Sequence, residues 1–94
     1  MATDAAEAWR HCFKQWPLEL ERRGVLVTSF GEQIVFDNFA ASDAMLLIER
    51  RAPDAVGARM VLVPFQSIQA LKITEIAKLK SFEPLGFVIP PTRK

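Results

Sequence analysis

Apolar residues open the chain at Trp9, Cys12, Phe13 and Trp16, an i, i+3, i+4, i+7 spacing that gathers them on one stripe of a helix. Glu7, Arg10, Lys14 and Gln15 fall on the other sides. Asp4 stands three residues before Glu7, the spacing of a capping box with Asp in the Ser/Thr place, and Pro17 cannot continue a helix. The pattern predicts a helix over 4–16 whose apolar stripe must lie against something hydrophobic.

After a charged connector at 19–23 the period changes to that of extended chain. Two β runs, 25–30 and 34–39, flank Gly31-Glu32 and read as a hairpin. Two more, 45–50 and 59–65, flank a stretch holding Pro53, Asp54 and Gly57, where a turn favours such residues. Pro64 cannot donate to a ladder, so it belongs at the end or on the edge of the fourth strand. Gln66-Ser67 then forms a tight joint before a fifth strand over 68–74. Beyond it, Ile76, Leu79 and Phe82 share a side and predict a short helix over 74–81. The remainder, 82–94, carries Pro84, Pro90 and Pro91 around Leu85-Gly86-Phe87-Val88-Ile89 and should run extended, packed on the body or on a neighbour.

Strands one, three and four are apolar on both faces: Val25 and Val27 alternate with Leu26 and Phe30, Met45 and Leu47 with Leu46 and Ile48, and Val61 and Val63 with Met60 and Leu62. A sheet wetted on one side would show polar residues at every second position. One face is expected to fill a barrel. The other must be covered by the helix stripe, the tail or another subunit, at ~1.5–3 kcal/mol for each side chain hidden.

Composition narrows the picture. With 94 residues there is room for one core, so a single domain over 1–94 is expected: helix 1–17, barrel 24–74, helix and tail 75–94. Half the residues are apolar and a quarter charged, with a mean hydropathy of +0.11, at the hydrophobic edge of the globular class. Twelve Lys and Arg against eleven Asp and Glu leave a net charge of +1, so nucleic-acid binding would need a local patch. One cysteine excludes an internal disulfide, the acidic start is unlike a signal peptide, and no apolar run approaches the ~20 residues that span a bilayer. The expectation is a cytoplasmic protein with no membrane partner.

The order helix, five strands, and a two-residue joint before the last resembles the Sm-like family, with 31–49 and 61–73 in the place of its two motifs. In the bacterial branch a glycine in a bent strand is followed by Phe-Asp-Gln-Phe and an aliphatic strand. Here Phe36-Asp37-Asn38-Phe39 precedes Met45-Leu46-Leu47-Ile48 after five extra residues at 40–44. The second motif there reads roughly Val-Tyr-Lys-His-Ala-Ile-Ser, and here Val63-Pro64-Phe65-Gln66-Ser67-Ile68-Gln69 keeps the frame without the Lys and His. The resemblance implies a mainly β chain with an N-terminal α-helix, a small five-stranded, strongly bent Sm-like β-barrel, a short C-terminal helix and an extended tail. It also implies a ring of subunits that holds RNA at Asn38, Phe39, Phe65 and Gln66. Phe39 would stack a base and Asn38 or Gln66 would hydrogen-bond one, but the cationic anchor for phosphate is missing.

No catalytic constellation stands out. His11 has no Cys, Asp or Glu at ligand spacing on its face, so a structural role outweighs a metal site. Cys12 sits on the apolar stripe as a small hydrophobe, without a base beside it. Asp37, Asp43, Glu49 and Asp54 fall where turns and strand ends favour carboxylates. Arg22, Arg23, Arg50, Arg51 and Arg59 offer a phosphate-binding edge or, more simply, solvated strand ends balanced by Glu19, Glu21 and Glu49. No metal, cofactor or small-molecule substrate is expected.

The leading expectation is a non-catalytic binding and assembly module, a homo-oligomer joined through the edges of strands four and five, with Met60, Leu62 and Leu71 supplying outward apolar burial. RNA contact would add a basic, salt-sensitive face. The alternative is a protein–protein adaptor with no nucleic-acid role, in which the helix stripe or Phe87-Val88-Ile89 docks in a partner's groove.

Overall fold

In a computed structural model, which describes residues 4–91, the chain forms one N-terminal helix and one five-stranded antiparallel sheet. Helix α1 spans Ala5–Lys14, and Asp4 caps it: its carboxylate accepts the Glu7 amide at 2.9 Å, satisfying one of the donors a helix start leaves free. The helix ends two residues earlier than its apolar stripe. Trp16 nevertheless stays with it, buried after the last turn, its indole N–H donating to the carbonyls of Leu20 and Glu21.

The strands are β1 (Gly24–Thr28), β2 (Gln33–Ala41), β3 (Met45–Arg50), β4 (Met60–Pro64) and β5 (Ile68–Lys72). Their order across the sheet is β4-β3-β2-β1-β5, so β4 and β5 are the two edges. The sheet is not closed by a ladder between them. A single 3₁₀ turn, Phe65–Ser67, carries the chain from one edge to the other, with the Phe65 amide bonded to the Ala44 carbonyl and the Ser67 carbonyl to the Ser29 amide.

β2 contains the main irregularity. Phe36 pairs with Arg50 and Asn38 with Glu49, so Asp37 is an extra residue, and Asp37 and Asn38 both lie on the exposed side between buried Phe36 and Phe39. A bulge of this kind bends its strand and raises the local twist. A second one interrupts the β1–β5 pairing after Val27.

The core lies on one face of the sheet. Leu26, Ile34, Phe36, Phe39, Leu46, Ile48, Val63, Phe65 and Ile68 are buried together, and α1 adds Phe13 and Trp16 to the same cluster. Phe13 is its hub, with ring centroids 5.0 Å from Phe39, 5.7 Å from Trp16, 6.2 Å from Trp9 and 6.4 Å from Phe65. Of the three covers expected for the outer face, the helix stripe is not the one used: it completes the inner core, where the 3₁₀ turn presents Phe65 to it. Outer-face residues Val35, Leu47, Met60 and Leu62 remain exposed.

Other boundaries shift for local reasons. Thr28 ends β1 by bonding across the turn to Glu32, which leaves Phe30 exposed at the tip beside Gly31, whose φ of 87° suits only glycine. The expected helix over 74–81 is absent. The chain instead forms a later 3₁₀ segment, Leu79–Leu85, in which Pro84 supplies no amide and Gly86 turns off at φ 97°.

Gly24 marks the closest approach of backbone to side-chain space. A Cβ there would stand 2.6 Å from the Lys72 carbonyl oxygen on β5 and 3.5 Å from the Phe36 ring. Gly24→Ala is expected to cost about 1–3 kcal/mol by forcing β5 away from β1 or the ring off its rotamer, seen as a lowered urea midpoint with an unchanged m-value.

Candidate functional site

The free edges follow from the hydrogen-bond phase of the outer ladders. The Arg50 amide donates to the Arg59 carbonyl at 2.8 Å and the Phe65 amide to the Ala44 carbonyl at 3.2 Å, so positions 59, 61, 63 and 65 turn their backbone groups toward β3. Met60, Leu62 and Pro64 turn theirs away, into the space beside the sheet. This explains the tolerance for Pro64 within a strand, since the amide it lacks is one that β3 never used. On the opposite edge, the Thr28 amide bonds toward β2 while that of Ser29 bonds to Ser67, which gives Val25 and Val27 to β5. The Leu71 backbone therefore faces outward from β5.

The side chains on these edges differ. Met60 and Leu62 are 56% and 62% exposed on the outer face, where Leu62 lies directly across from Leu47 and Met60 from Glu49. A shallow depression runs beside them, lined by Asn38, Ala40, Leu47, Glu49 and Met60. Leu71 does not share this face. It is opposite buried Leu26 and packs, half-buried, against the edge of the core.

The four residues singled out by resemblance are distributed over two surfaces. Phe39 and Phe65, 6% and 2% exposed, are core side chains flanking Phe13. Asn38 and Gln66 are exposed, the first on the bulge of β2 and the second in the 3₁₀ turn, beside a separate surface groove with Glu7, Arg10 and Asp43. Arg22 occupies the remaining face of Phe39: its guanidinium carbon stands 3.8 Å from the ring centroid, Nη2 donates to the Phe39 carbonyl at 2.7 Å, and Nε donates to Asn38 Oδ1 at 3.2 Å. A base stacking on Phe39 would have to displace an arginine held by a cation–π contact and two hydrogen bonds.

Three further arginines of the expected edge are engaged within the chain, whereas the Arg59 side chain makes no such contact among the described residues. Arg51 Nε donates to Asp37 at 3.0 Å, Arg23 pairs with Glu21 at 2.9 Å, and Arg50 Nε donates to the Ala52 carbonyl. Asp37 thus sits on a mid-strand bulge, not at a strand end. Arg22 and Arg51 together pin Asn38 and Asp37, the two outward residues at that bulge, a role sequence reading missed because neither partner is near in sequence.

The ionisable groups offer little acid–base chemistry. Burial pushes the Cys12 thiol up to about 11, so it stays protonated at neutral pH. Among the described residues no group of three or more His, Cys, Asp or Glu is placed to hold a metal ion, and no helix is long and apolar enough to cross a membrane.

Two carboxylates move the other way. A hydrogen bond from Lys14 at 2.6 Å, reinforced by its charge, holds Asp43 below its ordinary 3.8; the amide of Ala58, with help from that of Val56, does the same for Asp54 in the β3–β4 loop. A depressed carboxyl lends stability above its unfolded value and loses it as pH falls through the lower folded one. The urea midpoint is therefore expected to fall as pH drops below 4 and the two carboxyls protonate in the folded chain, and Asp54→Asn is expected to flatten that slope.

No family model matches the chain, and neither a curated protein nor a solved structure matches it.

Proposed function

We propose that the chain is a non-catalytic Sm-like assembly module, a strongly bent sheet whose β4 and β5 edges pair with neighbouring copies to give a closed homo-oligomer. The observation that carries this reading is the outward-turned backbone of Met60 and Leu62, next to exposed apolar side chains of the same residues. An edge left bare in this way is a template for strand pairing, which natural proteins otherwise block with charges or cover.

The bend has its own support. Strands lie about 4.8 Å apart, so the edges of a flat five-stranded sheet would be about 19 Å from each other. Three residues in a 3₁₀ turn advance only about 2 Å each. The 65–67 turn joins the edges only if the sheet curls, and the bulges in β2 and against β1 supply places to curl it. Strand order β4-β3-β2-β1-β5 puts the two edges where a ring needs them, one on each flank of the subunit.

The alternative is a protein–protein adaptor that stays single and docks Phe87-Val88-Ile89 in a partner's groove, the helix stripe being taken up by the chain's own core. Light scattering of the full chain separates the two: assembly predicts a multiple of 10.6 kDa that persists at high salt, and an adaptor predicts 10.6 kDa. RNA contact, which the resemblance adds, requires oligouridine binding that weakens steeply with salt. The engagement of Arg22, Arg23, Arg50 and Arg51 within the chain favours assembly without it.

A further inference from the structure

One flank of β2 is completed by a side chain instead of a strand. β1 begins at Gly24, opposite Phe36, so no strand lies on that flank beside Phe39. Arg22 takes the place: Nη2 donates to the Phe39 carbonyl at 2.7 Å and Nε to Asn38 Oδ1 at 3.2 Å, and the same Oδ1 accepts the Phe39 amide at 2.8 Å. Both backbone groups of Phe39 are therefore satisfied through Arg22 and the Asn38 side chain that Arg22 holds.

Arg22 stands in the 19–23 connector, and its neighbours there hold the C-terminal arm. Among the described residues, two hydrogen bonds join the arm beyond β5 to the body: the Glu21 amide donates to Glu75 at 2.8 Å, and the Ser81 hydroxyl donates to Glu19 at 3.3 Å. Both end on the connector, one and three residues before Arg22. Apolar packing adds little to them, since between 74 and 91 only Ser81 is buried and Phe82 is part-buried, while Ile76, Leu79, Phe87 and Val88 are exposed. Leu20, between Glu19 and Glu21, is anchored in the core. A change at Glu21 is thus passed forward to Arg22 rather than absorbed upstream.

We infer that the connector is a tie between the arm and the β2 bulge. The seated arm holds Glu21, Glu21 sets the backbone from which Arg22 reaches Phe39, and release of the arm loosens Asn38 and Phe39. Those two residues line, with Met60, the depression beside β4. On the edge-pairing reading, on which this consequence rests, a seated arm favours assembly and a released arm opposes it.

Hydrogen exchange at the Phe39 amide, measured on the full chain at low concentration, reads the tie directly. The net worth of one hydrogen bond corresponds to a change of about two- to tenfold in such an opening equilibrium. Glu75→Ala with Ser81→Ala should speed exchange at Phe39 by that factor and leave Val61 unchanged, with the fold intact by circular dichroism. Arg22→Ala should speed it at least as much. All three together should add nothing to Arg22→Ala, because the arm acts through that side chain. Glu75→Gln alone, which keeps an acceptor oxygen, should hold the parent rate. A Phe39 rate that ignores the arm substitutions, or a triple variant faster than Arg22→Ala by the full arm effect, overturns the tie.

Light scattering of the same variants reads the consequence: the concentration at which copies associate should rise about two- to tenfold when the arm is cut loose. A parent chain that stays at 10.6 kDa removes edge pairing and leaves the tie to the exchange result. An assembled parent whose Phe39 amide ignores the arm removes the tie and leaves edge pairing.

Discussion

Phe13→Ala is expected to destabilise the chain by about 3–5 kcal/mol, most of what a domain of this size has to lose. Phe13 is 1% exposed and touches Trp9, Trp16, Phe39 and Phe65, so truncation opens a cavity bordered by four aromatic rings from three parts of the fold. The loss combines the transfer of a ring to water with the tilted, stacked and edge-on contacts, each worth ~0.5–1.5 kcal/mol beyond its area. Because α1 meets the sheet chiefly through this side chain, the helix should detach before the strands separate. Urea unfolding followed by tryptophan fluorescence and by far-ultraviolet circular dichroism should then give two midpoints where the parent gives one. Phe30→Ala, at an exposed turn tip, is the matched control and should change stability by less than about 0.5 kcal/mol.

The largest effect on assembly is expected from Met60→Lys combined with Leu62→Lys. Both side chains stand on the outer face of β4, and both backbones point away from β3. Lysine leaves the ladder to β3 intact, since that ladder uses Val61 and Val63, yet it puts two ammonium groups where a neighbour's strand would lie. Circular dichroism should be unchanged and urea stability within about 0.5 kcal/mol of a lone parent chain. Strand-paired assembly, by contrast, should vanish at all concentrations accessible to light scattering. The same two charges placed at Val25 and Val27, on the outer face of the interior strand β1, should not dissociate it.

Much of this architecture is legible in the residues. Asp4 with Glu7, followed by the Trp9–Trp16 stripe, locates the helix because capping and periodicity act within a few residues of each other. The five strands are legible for a similar reason: each is a short β-branched or aliphatic run, and the turn residues Gly31, Pro53, Gly57 and Pro64 separate them. What escaped is non-local. The β2 bulge is invisible in Phe36-Asp37-Asn38-Phe39 read alone, because it depends on Arg22 and Arg51 arriving from other elements to pair with the two outward residues. The side on which α1 packs escaped too, since an apolar stripe says only that it must be covered, and Phe65 at the 3₁₀ turn decides where.

The segment after β5 shows the limit from another direction. Ile76, Leu79 and Phe82 have helical spacing, but Pro84 removes a donor two residues after the last of them and Gly86 reverses the chain, so only a short 3₁₀ segment forms. For the candidate site, Met60 and Leu62 were legible as outward residues of a strand apolar on both faces. Leu71 was not, because the bulge opposite Val27 shifts the phase of β5 by one residue and turns it toward the core.

Amide hydrogen exchange along β4 reads edge pairing one residue at a time. Val61 and Val63 donate toward β3 in any state of the molecule and serve as internal references, whereas Met60 and Leu62 acquire partners only from a neighbouring copy. Slow exchange at all four positions, with Met60 and Leu62 released by dilution or by the lysine substitutions, is the predicted result. Protection confined to Val61 and Val63 at concentrations where the parent chain is most concentrated would contradict it, showing the edge of β4 open to water.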